Sequence, residues 1–399
     1  MKPHDRPSGR AFHFSELLAA AFVIMIATPL VMHCWQGSAA ILRDEKRNAA
    51  AFPSLPAKDR PIRIFVRELD AYLRDNYGLR NWLLTSYNVV KYRVFGNYDT
   101  GSGHVLLSKN RWMYYTQFEQ IDAYRGRYIV PESQLKQFSD GLKHQYDVVT
   151  SRGMTYVAVI APNKQSICPE NLPDWAQRSL GSGATDQILR YVKQRYPEIT
   201  VIDTRHGVRK AKHLAPLFVP TDIHWTSPAG YFANAEIIPA LQKANANIPD
   251  PSPWSEYAVI SQQDVGGDLS ALTNLRSNMR ETTYAVTKRG GFRSRRDPAS
   301  PYMQLPTLDS FHPTFVYKID DDRLPRALVF RNSFFTALMP FFSEHFRETV
   351  VLWRDFDTAY IDRVHPDIVV RQFLEMELFQ VTPEILKQAA ERPRSSENR

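Results

Sequence analysis

Along this chain, stretches with apolar residues three and four positions apart alternate with short, continuously apolar runs. Residues 64–77 and, after Gly78, residues 81–95 have the first pattern, which predicts two amphipathic helices. Residues 106–115 (LLSKNRWMYY) predict a hairpin with a polar turn. Pro131 opens a helical stretch to about residue 152, and residues 154–160 (MTYVAVI) predict a strand that ends in Ala161-Pro162-Asn163-Lys164. A helix at 186–195 and a strand at 200–203 repeat that unit. Pro228 opens a further helix to about residue 246. Residues 327–330 predict a strand, 334–346 an amphipathic helix directly behind it, and 349–353 and 367–370 two more strands. Strands that alternate with helices imply an α/β domain with a largely parallel sheet covered on both faces.

The front of the chain follows neither period. Residues 17–35 (LLAAAFVIMIATPLVMHCW) carry no charge and follow a head with Lys2, Arg6 and Arg10. At ~1.5 Å per residue such a run can cross a ~30 Å hydrocarbon core, with the basic head in the cytoplasm. The expected organisation is a cytoplasmic head at 1–14, a membrane anchor at 15–36, a proline-containing linker at 37–61, one large domain at 62–382 outside the cytoplasm, and a polar, disordered tail at 383–399. A cleaved signal peptide is the alternative, because Gly37-Ser38-Ala39-Ala40 offers small residues just beyond the run.

Composition narrows the chemistry. The two cysteines, Cys34 and Cys168, exclude a disulfide framework. There is no CxxC or HExxH, and the 11 histidines are scattered, so no metal site is expected. A net charge of +8 is compatible with nucleic acid, but export makes acidic glycans or a membrane surface the expected partners, and nucleic acid is not expected.

Two segments carry candidate chemistry. Asp222-Ile223-His224-Trp225 supplies an acid and a base two residues apart, so that in an extended segment both side chains point the same way. Asp222 can then hold the His224 ring while the other ring nitrogen serves a hydroxyl. Ser333 supplies that hydroxyl at a strand–turn–helix junction, where free N–H groups can stabilise an oxyanion. Blander readings are a surface turn for the first segment and a helix N-cap for Asn332 or Ser333.

Several blocks in order resemble the alginate O-acetyltransferase AlgJ/AlgX family over about residues 62–382. They are Asn76-Tyr77-Gly78-Leu79-Arg80, Lys109-Asn110-Arg111-Trp112-Met113-Tyr114, Pro162-Asn163-Lys164 through Glu170, Asp222-Ile223-His224-Trp225, Gly267-Asp268-Leu269, Phe330-Arg331-Asn332-Ser333-Phe334 and Pro366-Asp367-Ile368-Val369-Val370. The resemblance implies an SGNH-hydrolase-like three-layer αβα fold with a mostly parallel sheet, here preceded by one N-terminal transmembrane helix. It implies a triad of Ser333, His224 and Asp222, with the Ser333 N–H and Asn332 as oxyanion candidates. The expected activity is acetyl transfer, without a cofactor, onto an exported polysaccharide in the periplasm. A multi-spanning inner-membrane acyltransferase is the expected acetyl source. The family usually has Asp where this chain has Asn332, and Asn can donate where Asp cannot. Candidate substrate contacts are Trp225, Lys164 and the basic residues Arg293, Arg295 and Arg296. An acetylesterase with the same triad and a non-catalytic glycan-binding assembly subunit are the alternatives.

Overall fold

The computed structural model describes residues 14–36, 41–42, 47–56, 61–95, 104–309 and 311–378. The head at 1–13, parts of the linker and the tail at 383–399 lie outside the described residues. By internal contacts the chain divides into two units, Met1–Asp99 with Ala271–Leu275, and Thr100–Ser270 with Arg276–Arg399.

In the first unit the uncharged run lies in a helix, Phe14–Gln36. The side chains of residues 29, 30 and 33–36 of this helix lie outside those described; among the described residues no helix is long and apolar enough to cross a membrane, and the expected anchor stays untested. A short antiparallel pair follows, β1 (Ile41–Leu42) with β2 (Arg47–Asn48). The two predicted helices form at Ile62–Asn76 and Arg80–Phe95, within two residues of the expected ends.

The second unit begins with a hairpin, β3 (Val105–Leu107) and β4 (Met113–Tyr115). Its seven-stranded sheet has the order β6-β5-β13-β11-β12-β10-β9. The strands are β5 (Thr155–Ala161), β6 (Val201–Asp203), β9 (Arg295–Arg296), β10 (Phe315–Lys318), β11 (Arg326–Arg331), β12 (Glu348–Trp353) and β13 (Ile368–Leu374). β6 to β12 in that order run parallel, and β10 and β9 add an antiparallel edge. The central strands are apolar at almost every position because both faces are covered. Alternate residues serve opposite cores: Val157, Val159, Ala327 and Val329 join one, and Tyr156, Ala158, Leu328 and Phe330 join the other. The first core takes in Ala229, Ala233, Ile237 and Leu241 of the helix Ser227–Gln242. The second takes in the helices Glu132–Thr150, Ala184–Arg195 and Thr358–Val364. The unit is therefore three layers deep, and the predicted mainly parallel α/β fold is observed.

Two local expectations are corrected. The run at 334–346 is not one amphipathic helix but three short turns, Ser333–Ala337 and Ser343–His345 in 3-10 form around the helical Met339–Phe342. Pro340 cannot donate an N–H to a helix ladder, and Phe334, Phe335, Phe341, Phe342 and Phe346 are all buried instead of forming one stripe. Replacing any one of these with Ala should cost ~3–5 kcal/mol. The second correction is a hairpin, β7 (Tyr257–Val265) with β8 (Arg280–Lys288), that the pattern did not predict. β7 is exposed at most positions, so no buried face imposes an alternation on its sequence.

Candidate active site

The chemistry collects at the carboxyl ends of the parallel strands, where loops leave an α/β sheet. Ser333 follows β11 after one residue. The chain leaves β11 through Asn332, whose side-chain oxygen accepts the Phe334 N–H at 3.0 Å and caps the short 3-10 turn. The Asn332 amide donates to both carboxylate oxygens of Glu377 at 3.0 and 2.9 Å, and its backbone N–H donates to Gln372 Oε1 at 3.1 Å. The side chain proposed for an oxyanion is thus spent on holding the turn, as the N-cap reading has it.

The acid–base pair comes from a bend between Phe218 and Trp225, which form an isolated antiparallel bridge. The segment is not extended. Asp222 and His224 meet because Asp222 Oδ1 accepts both the His224 backbone N–H at 2.8 Å and its ring Nδ1–H at 2.9 Å, the local turn that Asp favours. The other ring nitrogen, Nε2, lies 2.8 Å from Ser333 Oγ. Those partners fix the tautomer: Nδ1 carries the proton, and Nε2 accepts from the serine hydroxyl. Burial works to raise the Asp222 pKa, but bonds from the His224 ring and backbone and from the Asp268 N–H outweigh it and hold the carboxyl down at about 2. The carboxylate is therefore charged at neutral pH, and the arrangement can move a proton from a serine hydroxyl to an imidazole.

A second carboxylate stands beside this pair. Asp268 Oδ2 lies 3.4 Å from His224 Nδ1, while its backbone N–H reaches Asp222 Oδ2 at 3.3 Å. Asp222, His224 and Asp268 can each offer one ligand atom within 4.8 Å of the others, which is a possible cation site. The close approach needs Gly267, since a Cβ there would meet Asp222 Cβ at 2.5 Å and Cα at 2.8 Å. Asp268 was visible in sequence as part of Gly267-Asp268-Leu269, but nothing in that block says that it reaches the histidine.

The remaining candidates fall elsewhere. Trp225 is buried, and its indole N–H donates to the Phe334 carbonyl at 2.8 Å, so it packs the site together and offers no face to a sugar. Lys164 is also buried, with its ammonium bonded to the Pro220 and Asp222 carbonyls at 2.7 and 3.0 Å, and it does not face a cleft. Arg295 and Arg296 lie on β9, in register through Lys318 and Tyr317 of β10 and Glu348 and Thr349 of β12 with Arg326 and Ala327. That is the start of β11, ~20 Å along the strand direction from Ser333 at ~3.3 Å per residue. Arg293 is 3.8 Å from Asp321. Register thus leaves the basic run away from the serine. A polar pocket of about 100 Å³, lined by Asn163, Ser166, Thr185, Arg205 and Glu375 among others, opens beyond β5, β6 and β13 and includes none of Asp222, His224 and Ser333.

Residues 105–299 match the family model described as SGNH hydrolase-like domain, acetyltransferase AlgX. No curated protein matches the chain. Among solved structures, it is similar to PatB1 from Bacillus cereus, with 13% identity, 71% of this chain and 98% of that chain covered, and a TM-score of 0.52. A DHHW family protein from Eubacterium siraeum gives 14% identity, 65% and 90% coverage and a TM-score of 0.50. The O-acetyltransferase domain of Pseudomonas putida AlgJ gives 17% identity, 71% and 98% coverage and a TM-score of 0.46. At such identities the first two likenesses speak for the fold alone. The sequence match makes residues 105–299 AlgX-like, and the mainly parallel α/β sheet is of the SGNH-like kind.

Proposed function

We propose that this protein is an O-acetyltransferase that moves an acetyl group onto a hydroxyl of an exported polysaccharide through an acetyl-Ser333 intermediate. The observation that carries the reading is the continuous relay from Asp222 Oδ1 through His224 to Ser333 Oγ, at 2.9 and 2.8 Å. The matched acetyltransferase model supports the reaction class.

In the first half-reaction His224 Nε2 takes the hydroxyl proton while Ser333 Oγ bonds to the acetyl carbonyl carbon. The imidazolium then protonates the leaving group as the acyl bond breaks, and Asp222 steadies the positive charge. In the second half, Nε2 takes the proton of a sugar hydroxyl as its oxygen bonds to the acetyl carbon; the bond to Ser333 Oγ then breaks, and the imidazolium returns its proton to that oxygen. The Ser333 N–H, first in its turn and without an acceptor among the described residues, is the donor for the oxyanion. The apolar run at 17–35 anchors the chain in the inner membrane with its large unit in the periplasm, where a multi-spanning acyltransferase hands over the acetyl group.

The test supplies an acetyl ester and a panel of oligosaccharides to the purified protein and reads products by mass spectrometry. Sugars heavier by one acetyl group, absent with Ser333→Ala, are expected. Rapid release of acetate with every acceptor untouched would make the protein an esterase with the same three residues. Fusion of a reporter active only outside the cytoplasm checks the topology, and an inactive fusion at residue 378 overturns it.

A further inference from the structure

A lysine ammonium buried without a counter-ion is costly, so such a group calls for an explanation. Lys164 is 3% exposed, and no carboxylate pairs with it among the described residues. Its Nζ sits over the rings of Trp112 and Tyr114, 4.7 and 5.5 Å from their centroids. Two of its protons go to the carbonyls of Pro220 and Asp222. These carbonyls flank Thr221 in the bend that carries the acid of the relay. The rest of the bend is tied from the other side: Thr221 N–H and Oγ1–H donate to Glu281 Oε2 at 2.7 and 2.6 Å, and the Leu269 N–H donates to the Thr221 carbonyl at 3.0 Å.

We propose that Lys164 is a positioning residue, whose ammonium pins the Pro220–Asp222 backbone so that the Asp222 carboxylate meets the His224 ring. The inference deepens the acyl-transfer reading and rests on it for its kinetic consequence. A cation bonds to carbonyls about twice as strongly as a neutral donor, so replacing the ammonium with an apolar tip loosens the bend even where the stem still fills its space.

The test reads two variants by steady-state kinetics and by the His224 Nδ1–H proton signal. Lys164→Met, whose apolar stem still packs on Trp112 and Tyr114, should lower kcat for acetyl-ester cleavage ~10–100-fold with KM within ~3-fold, and the His224 signal should broaden or shift. Lys164→Gln, which keeps donors without the charge, should fall between Lys164→Met and wild type. Wild-type kcat and an unchanged His224 signal in either folded variant overturn the proposal. A wild-type protein that cleaves no acetyl ester, yet whose His224 signal still changes in these variants, sinks the acyl-transfer reading and supports the positioning role.

Discussion

The indole N–H of Trp225 donates to the backbone carbonyl of Phe334 at 2.8 Å, joining the residue after His224 to the residue after Ser333 across 109 positions of sequence. The His224 and Phe334 rings lie 5.1 Å apart on the same seam. One buried bond therefore helps set the distance between the His224 imidazole and the Ser333 hydroxyl.

Trp225→Phe keeps most of the ring and removes that donor. Loss of that buried bond should cost ~0.5–1.5 kcal/mol of stability, since the Phe334 carbonyl keeps its place in the 3-10 turn. If the seam sets the relay, kcat for ester cleavage should fall ~10-fold or more with KM nearly unchanged. Denaturation curves and steady-state kinetics on the same preparation check both, and an unchanged kcat would show that the relay does not depend on this bond.

Asn332 and Glu377 make a second testable pair. Burial, opposed by bonds from the Leu374 N–H and the Asn332 amide, raises the Glu377 pKa. Asn332→Asp would replace a donor with a second carboxylate at hydrogen-bond distance, and two such groups share one proton. The folded variant would then hold a proton that the unfolded chain has lost above the usual carboxylate range. Its stability should fall relative to wild type as pH rises through that range and recover as pH drops. Adding Glu377→Gln should restore most of the loss. Urea titrations of the two single variants and the double variant at pH 5 and 8 read the coupling, and additive losses would contradict it.

The two carboxylates near His224 should differ in importance. Asp222 is 2.9 Å from Nδ1 and also takes the His224 backbone N–H, whereas Asp268 is 3.4 Å from Nδ1. Asp222→Asn should lower kcat on the order of 10⁴-fold by favouring the wrong tautomer, and Asp268→Asn no more than ~10-fold. Comparable losses would mean that the histidine is shared between them. Measuring both with and without a chelator also tests whether the three ligand atoms act through a cation, in which case metal removal alone would mimic the variants.

His345 offers a test of stability away from the serine. It is buried, its Nδ1–H donates to the Pro249 carbonyl at 2.8 Å, and Nε2 is 3.3 Å from the Asn234 amide nitrogen. Burial is the main cause that lowers its pKa from 6.5 to about 4. Between those values the unfolded chain binds a proton that the folded protein refuses, so the fold should lose stability as pH falls from 6.5 towards 4. His345→Gln should flatten that part of the profile. Thermal melts of both proteins across the window decide it, and parallel profiles would place the acid sensitivity elsewhere.

By itself the sequence determined the alternation of strands and helices, because buried parallel strands must be apolar at nearly every position, as 154–160 and 327–330 are. It also marked Asp222, His224 and Ser333 as polar residues at the ends of such segments. What it could not supply was distance. Whether His224 reaches Ser333 depends on β11 lying two strands from β5 with β13 between them, and no local pattern encodes that order. Only the folded chain buried Lys164 and Trp225, both candidate substrate contacts, against backbone carbonyls, brought Asp268 to the histidine, and sent Arg295 and Arg296 to the opposite end of the sheet. A side chain's type is read along the chain, but its partner is set by packing between segments far apart in sequence, and burial then decides whether a polar group meets substrate or backbone.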